Sequence, residues 1–590
     1  MKKYIFITIV AALLFSCEKD FLDRVPETDI TAAGFFNSTS DLEIYTNTFY
    51  DYFGASTRDL STDDQTRHSE GDGLNSLLKG NLTLSNADNW DGWDVLRDIN
   101  YFLANYNNNN ISENGNMTEI NHYIAFARFS RARWYISKIK DYGMVPWIDK
   151  PLNVDSEELF KTQDSRDFVV EKIMEDLEFA VANLKESTNF KSQISKWSAL
   201  AEMSRFCLYE GTFRKYHDYT GLSNANTYLT KSAEASQQII DSGNYSIWTN
   251  GNPNTAYNEF FIQESYNGNS EVIQSIEYSY DEPRRTYGVV VYFYWGLSKN
   301  LVDSYLMTDG TRFTDVSGFD EKGFVEVFEN RDPRMAQTIA YPGYKFPNTE
   351  NDYLIVATYG GYTQQKFLHN DENESLWNSQ NDLAAYRYAE VLLNHAEAKA
   401  ELGTLSQGDI DATINAIRAR VGMPGLNMAA ANANPDPVQT VQYPNVSGAN
   451  VGVIMEIRRE RRIELACEGF RRGDMVRWKN GITLAQPQVG MYVPAFGGID
   501  VTGDGTPDIA ILNSPSETGP IDALPNAAEL VKYYVSDGSF YLTDGDSGYI
   551  AMTGDVAQPK SFVEPKYYYY PMGINDLLVN PNLVQVPYWE

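Results

Sequence analysis

Residues Ile454 to Lys479, IMEIRRERRIELACEGFRRGDMVRWK, constrain the fold of this chain more than any other stretch. Nothing up to Glu468 breaks a helix, and Gly469 stands where a left-handed C-terminal cap would fall. Glu456, Glu460, Glu464 and Glu468 recur every fourth residue and form one row. Arg458 and Arg462 form a second row, while Arg459 and Arg461 lie three residues from Glu456 and Glu464. Apolar residues fill the gaps on several sides, so there is no clean apolar stripe of the kind a surface helix shows. The pattern predicts a buried helix whose charges pair with one another and with neighbouring helices. The interleaved glutamates also cancel the positive field that nucleic acid would need.

Glu460 to Arg471, followed by Asp474 and Arg477-Trp478, resembles the C-terminal signature of the SusD/RagB family. Phe126 to Trp147 (FARFSRARWYISKIKDYGMVPW) resembles a second block of that family. The ending resembles its terminus: Tyr570-Pro571-Met572, Leu577, Asn580 to Leu583 and Gln585. The resemblance therefore covers nearly the whole mature chain. It implies a mainly α fold, a tetratricopeptide-like scaffold of helical hairpins with long irregular loop insertions. It further implies a surface-exposed outer-membrane lipoprotein that binds nutrients and is not an enzyme. The implied partners are an oligosaccharide and a TonB-dependent, SusC-like outer-membrane transporter; a peptide ligand, as in RagB-like members, is the alternative, and a surface glycoside hydrolase a more distant one.

The start of the chain agrees. Lys2 and Lys3 precede an apolar run, Ile5 to Phe15, too short to span a membrane, so residues 1–16 read as a signal peptide. Leu14-Phe15-Ser16-Cys17 resembles a lipobox, with Cys17 as the lipidated residue. The acidic Glu18-Lys19-Asp20 that follows resembles the signal for the outer leaflet. Membrane contact is then expected through the lipid anchor only. The net charge of −32 argues against nucleic acid or an anionic membrane surface as partner. Cys207 and Cys467 read as small buried hydrophobes.

Residues 17–590 read as one domain. The helical scaffold is expected over about 38–245 and 380–480, with loop-rich insertions at about 247–380 and 481–560. Periodicity predicts helices from a capping box at Ser40 to Glu43, from Trp93 to Tyr106, from Ile120 to Lys140 and from Val170 to Leu184. Further helices are predicted at 197–210, 227–241, 382–402 and 409–421, although a strict 34-residue repeat is absent. Tyr287 to Trp295 reads as a short strand. Arg128, Arg131 and Arg133 are candidate partners for the glutamate row.

Asp500, Thr502, Asp504, Thr506 and Asp508 place oxygen side chains at positions 1, 3, 5, 7 and 9, with Gly505 at 6. That is the start of an EF-hand-type loop and a candidate structural calcium site, although Ile511 replaces the usual glutamate at 12. The five histidines lack zinc spacing, and there is no Gly-x-Ser-x-Gly elbow, P-loop or dinucleotide fingerprint.

A pyranose ring stacks its C–H face on an aromatic ring while its hydroxyls need polar partners, so a glycan site pairs exposed aromatics with Asn, Asp or Arg. Two loops offer this: Arg67, Asp72, Asn89 and Trp90 in one, Tyr287, Tyr292, Tyr294 and Trp295 in the other. Trp90 and Trp295 lead because both stand beside turn formers. Trp93 belongs to a helix stripe and reads as core, and Tyr292 and Tyr294 can alternate into the core.

Overall fold

A computed structural model describes residues 35–65, 73–88, 90–278, 296–345, 350–368 and 380–589. Paired helices build the scaffold. Thr39–Asn47 (α1) starts at Ser38, whose hydroxyl caps Asp41 while the Asp41 carboxylate bonds back. The cap thus falls two residues before the predicted Ser40, because Asp41 at the third helical position completes the reciprocal pair. After the short Gly73–Leu78 (α2) come Trp93–Asn105 (α3), Met117–Tyr142 (α4), Arg166–Asn183 (α5), Lys196–Tyr216 (α6) and Ala225–Asp241 (α7). α4 packs on α5 and α6 on α7, while α3 and α1 lie against α4. Tyr388–Leu402 (α8) then packs on α7 and on Val451–Glu464 (α9). Mainly α architecture with successive hairpins is what the chain adopts.

Three regions depart from the sequence reading. The predicted helix 382–402 opens as a strand, Leu383–Arg387 (β2), paired antiparallel with Val272–Ile276 (β1). The predicted helix 409–421 is split into Gln407–Ala412 and Ile414–Ala419 by Thr413, whose φ and ψ are −119° and −85°. Residues 481–560 are not irregular. They hold two three-stranded sheets, one from Val489–Val493, Phe540–Leu542 and Gly548–Met552, the other from Gly497–Ile499, Ile509–Leu512 and Val531–Tyr534. These strands are three to five residues long, too short for an alternating pattern to show. Among the described residues no helix is long and apolar enough to cross a membrane.

There are two main cores, and α9 runs along their seam. Val453, Ile454, Met455 and Ile457 enter the helical core. Ile463, Ala466 and Cys467 enter the second core, beneath the strands and short helices. This explains the missing apolar stripe: the helix is buried on all sides. It ends at Glu464, four residues earlier than predicted, because Cys467 turns left-handed (φ 65°) before Gly469 does (φ 80°). The glycine is still required, since a Cβ there would lie 2.6 Å from Ser56 Cβ.

The charges are paired as expected, but mostly with other partners. Glu460 holds Arg334 (2.5 Å) and Arg418 (2.7 Å). Glu464 holds Arg387 (2.7 Å), Arg334 (3.1 Å) and Arg420. Glu468 holds Lys366 and Arg387, both at 2.7 Å. Burial raises the Glu464 pKa, but the guanidiniums of Arg420, Arg387 and Arg334 outweigh it and hold the carboxyl below the usual range. Arg459 does reach Glu456 (2.7 Å), whereas Arg461 turns to Asp474 (2.8 Å) instead of Glu464. Arg128 and Arg131 do not serve the glutamate row; both hold Asp176, at 2.6 and 2.7 Å. Arg133 lies 3.7 Å from Glu202. All three project from α4 toward nearer carboxylates on α5 and α6.

Candidate functional site

The segment just before residue 66 is locked to the signature motif. Asp59 accepts N–H bonds from Cys467 (2.6 Å) and Arg471 (3.1 Å). Asp63 pairs with Arg471 at 2.7 Å, and Asp64 accepts from Arg462 Nε at 2.7 Å. Gln65 then forms an antiparallel bridge with Leu297. Ser298 reinforces the bridge, its N–H donating to Asp64 O (2.9 Å) and its hydroxyl to Asp63 O (2.5 Å). Leu297 N–H donates to Tyr362 O at 2.8 Å. Asp382, in turn, accepts from the N–H groups of Tyr266 (2.9 Å) and Tyr278 (3.4 Å).

Gln65, just before the stretch with Arg67 and Asp72 in sequence, is therefore tied to Leu297, just after the stretch with Tyr287, Tyr294 and Trp295. Arg67, Asp72, Tyr287, Tyr294 and Trp295, with Cys17, Asn89 and Tyr292, lie outside the described residues. Burial raises the pKa of Asp59 to about 7, aided by Asp64 and opposed by the N–H bonds of Arg471 and Cys467. Burial likewise raises Asp382 to about 7. Sequence reasoning missed Asp59, Asp63 and Asp64 as partners of the arginine motif. The signal was present: three acids within six residues, next to a loop, facing a chain region rich in arginine.

Trp90 is placed elsewhere. It is 9% exposed, with Tyr142 edge-on to its ring at 4.7 Å and Trp93 at 5.3 Å. Its turn-rich neighbours do not expose it, because Gly92 turns left-handed (φ 73°) at the start of α3 and the indole folds back on α4. Trp90 and the half-buried Trp93 line a cleft of about 410 Å³. The walls are apolar, including Ile148 and Leu583, and Asp94, Arg97 and Asp576 are among its polar residues. The chain's end forms one side: Ile574 N–H donates to Leu84 O (2.8 Å) and Asn580 Nδ2 to Lys161 O (2.9 Å). Trp93 thus reaches the cleft that its helix stripe alone would have hidden.

The Asp500–Asp508 loop is a tight turn between two strands. Asp500 accepts N–H bonds from Thr502 (3.1 Å), Gly503 (2.6 Å) and Gly505 (2.8 Å). Asp504 accepts from Thr506 (2.7 Å), and Asp508 from Val501 (2.9 Å) and Thr502 (3.0 Å). Among the described residues no three His, Cys, Asp or Glu side chains gather closely enough to share a metal ion.

Comparison with known proteins agrees with this fold. A SusD-like protein of Formosa agariphila is 24% identical over 516 residues, covering 82% of this chain and 92% of that protein. A SusD-like carbohydrate binding protein from Bacteroides fragilis superposes with a TM-score of 0.66 at 22% identity, over 93% of this chain and 100% of that one. A further SusD-like protein from the same species gives 0.68 at 20% identity, over 96% and 100%. The sequence model of the SusD family matches residues 246–589, which include α9, its arginine motif and the strand region, and the chain belongs to the SusD family.

Proposed function

We propose that this protein is a lipid-anchored cell-surface glycan-binding protein, held in the outer membrane through Cys17, that captures an oligosaccharide and delivers it to a TonB-dependent transporter. The observation that supports it most is the Gln65–Leu297 bridge, which ties the residue just before the polar stretch with Arg67 and Asp72 to one just after the aromatic stretch with Tyr287, Tyr294 and Trp295. Family membership and the carbohydrate-binding description of a relative support the same ligand class. The platform is then Arg67 and Asp72 with Tyr287, Tyr294 and Trp295. It binds without chemical turnover.

Binding is read on a glycan array and a peptide pool; a peptide hit with no glycan hit would favour the RagB-like alternative. In calorimetry with the array's best glycan, Trp295→Ala should weaken binding by about 1–3 kcal/mol, as loss of one stacked ring does elsewhere. Trp90→Ala should instead lower stability by about 3–5 kcal/mol, because its ring is core. If Trp295→Ala binds as the wild type does, Trp295 is not part of the platform.

Anchoring and partnership share one preparation. Cys17→Ala should move the protein out of the membrane pellet, and the tagged wild type should recover a large outer-membrane protein. A pellet-bound Cys17→Ala would remove the lipobox reading. Calcium at Asp500 to Asp508 is proposed on ligand spacing. Calcium should raise the melting temperature of the wild type and not of Asp504→Ala; identical wild-type melts with calcium and with chelator would discard the ion.

A further inference from the structure

A second cavity, of about 280 Å³, lies between α4, α6 and the signature motif. The exposed residues Gly54, Ser56 and Gly469 line its outer part. Its inner lining is crowded with charge, and nearly all of that charge is matched. Arg387 pairs with Glu468 at 2.7 Å, and Arg205 with Glu390 at 2.6 Å. Arg461 and Arg477 share Asp474, at 2.8 and 2.9 Å, and Arg477 also holds Glu397 at 2.5 Å.

Lys140 is left over. Among the described residues its ammonium makes no hydrogen bond and no ion pair; it stands 4.6 Å from the ring centre of Tyr209. The acids nearest to it are already engaged. Glu202 accepts the Tyr386 hydroxyl and lies near Arg133 (3.7 Å) and Arg205 (3.9 Å). Asp141 faces Arg472 at 3.3 Å. The Tyr209 hydroxyl also has no hydrogen-bond partner among the described residues, and Arg205 Nη1 has only the distant Glu202. Burial pushes the Lys140 pKa down to about 8, the direction expected of an ammonium without an adequate counter-ion. A charge drawn out of water is normally paired, so a half-buried, unpaired lysine that lines an open cavity with two spare donors has the makings of a binding site.

We infer that this cavity binds one small oxyanion, a carboxylate or a sulfate, with Lys140 as its counter-ion and Tyr209 and Arg205 as further donors. The volume is just below the roughly 300–1,000 Å³ of pockets that take drug-sized ligands, which suits a single anionic group or one acidic sugar unit. No described residue lining the cavity is part of the proposed glycan platform, and the inference does not rest on that platform binding a glycan.

The mature chain is titrated by calorimetry with sulfate, glucuronate and glucose at fixed ionic strength in chloride. Sulfate, glucuronate or both should bind at pH 7, and Lys140→Met should weaken the binding roughly tenfold or more, as loss of a charge-assisted contact would. Sulfate alone would identify a free inorganic ion as the source; glucuronate would identify the acid group of a sugar. Because Lys140 must be protonated and titrates near pH 8, wild-type affinity should fall roughly tenfold between pH 7 and pH 9. This second measurement decides the matter even if Lys140→Met does not fold. Glucose binding as well as glucuronate, equal binding by Lys140→Met, binding unchanged at pH 9, or no binding of either anion would each overturn the inference.

Discussion

Glu464→Gln should lower the unfolding free energy by about 3–5 kcal/mol, one of the largest losses expected from any single isosteric change in this chain. Glu464 is fully buried and meets three guanidiniums, those of Arg387, Arg334 and Arg420. An amide keeps the shape and one acceptor but removes the charge. The three arginines then stay in a low-dielectric interior with one carboxylate fewer, and that residual charge is the source of the loss. Denaturant unfolding measures it. The exposed Lys172–Glu175 pair on α5 is the control, and Glu175→Gln should leave the midpoint where it was. A Glu464→Gln midpoint equally unmoved would mean that the network is solvated.

The pH dependence follows with a definite sign. Glu464 and Glu397 have depressed pKa values, Glu397 at about 2, because neighbouring arginines outweigh the effect of burial. Their stabilisation is full above the ordinary carboxyl value of 4.5 and is lost as pH falls below it. Asp59 and Asp382 act in the opposite sense. Their pKa values are raised from 3.8 to about 7, so stability is lost as pH rises through that window. The melting temperature should therefore peak on the acid side of neutrality, and Glu464→Gln should flatten the acid limb.

Helices whose pattern is local were legible in the sequence. α3, α5 and α7 begin and end within a few residues of their predicted limits, because turn formers and one apolar face define them. The burial of α9 was legible from its lack of a clean apolar stripe, with apolar and charged residues interleaved on every side. Its partners were not, because Asp63, Arg334, Arg387 and Arg420 come from segments distant in sequence, and pairing across such distances leaves no periodic trace. The same reason hid the cleft beside Trp90. One wall of it is the chain's end, brought there by Ile574 and Asn580. The short strands of 489–552 escaped because each contributes three to five residues and pairs with strands from elsewhere in the region. For the paired loops, composition pointed to the aromatics, whereas the Gln65–Leu297 bridge that joins their roots is a contact over more than two hundred residues.

Arg462→Met should uncouple those roots. One guanidinium reaches both sides of the junction: Asp64 and Asp63 before the first loop, and Asn300 Oδ1 (3.1 Å) and Ser304 Oγ (2.7 Å) after the second. Methionine fills much of the space and supplies none of the donors. Asp63 keeps Arg471, but Asp64 is left buried, with Arg471 no nearer than 3.6 Å. Breaking such a pair from one side costs about 3–5 kcal/mol. Here the loss should fall first on the root, because the scaffold helices keep their own cores. Hydrogen exchange should therefore quicken at 57–65 and 296–304 before it quickens in α6 or α7. Affinity for the array's best glycan should drop at least roughly tenfold although no proposed ligand contact has been altered. Adding Asp64→Asn removes the stranded charge, so the double variant should regain stability. It should not regain affinity, since the tie between the two roots is still missing. Full glycan affinity in an Arg462→Met protein whose root exchanges quickly would show that the loops bind independently of their common anchor.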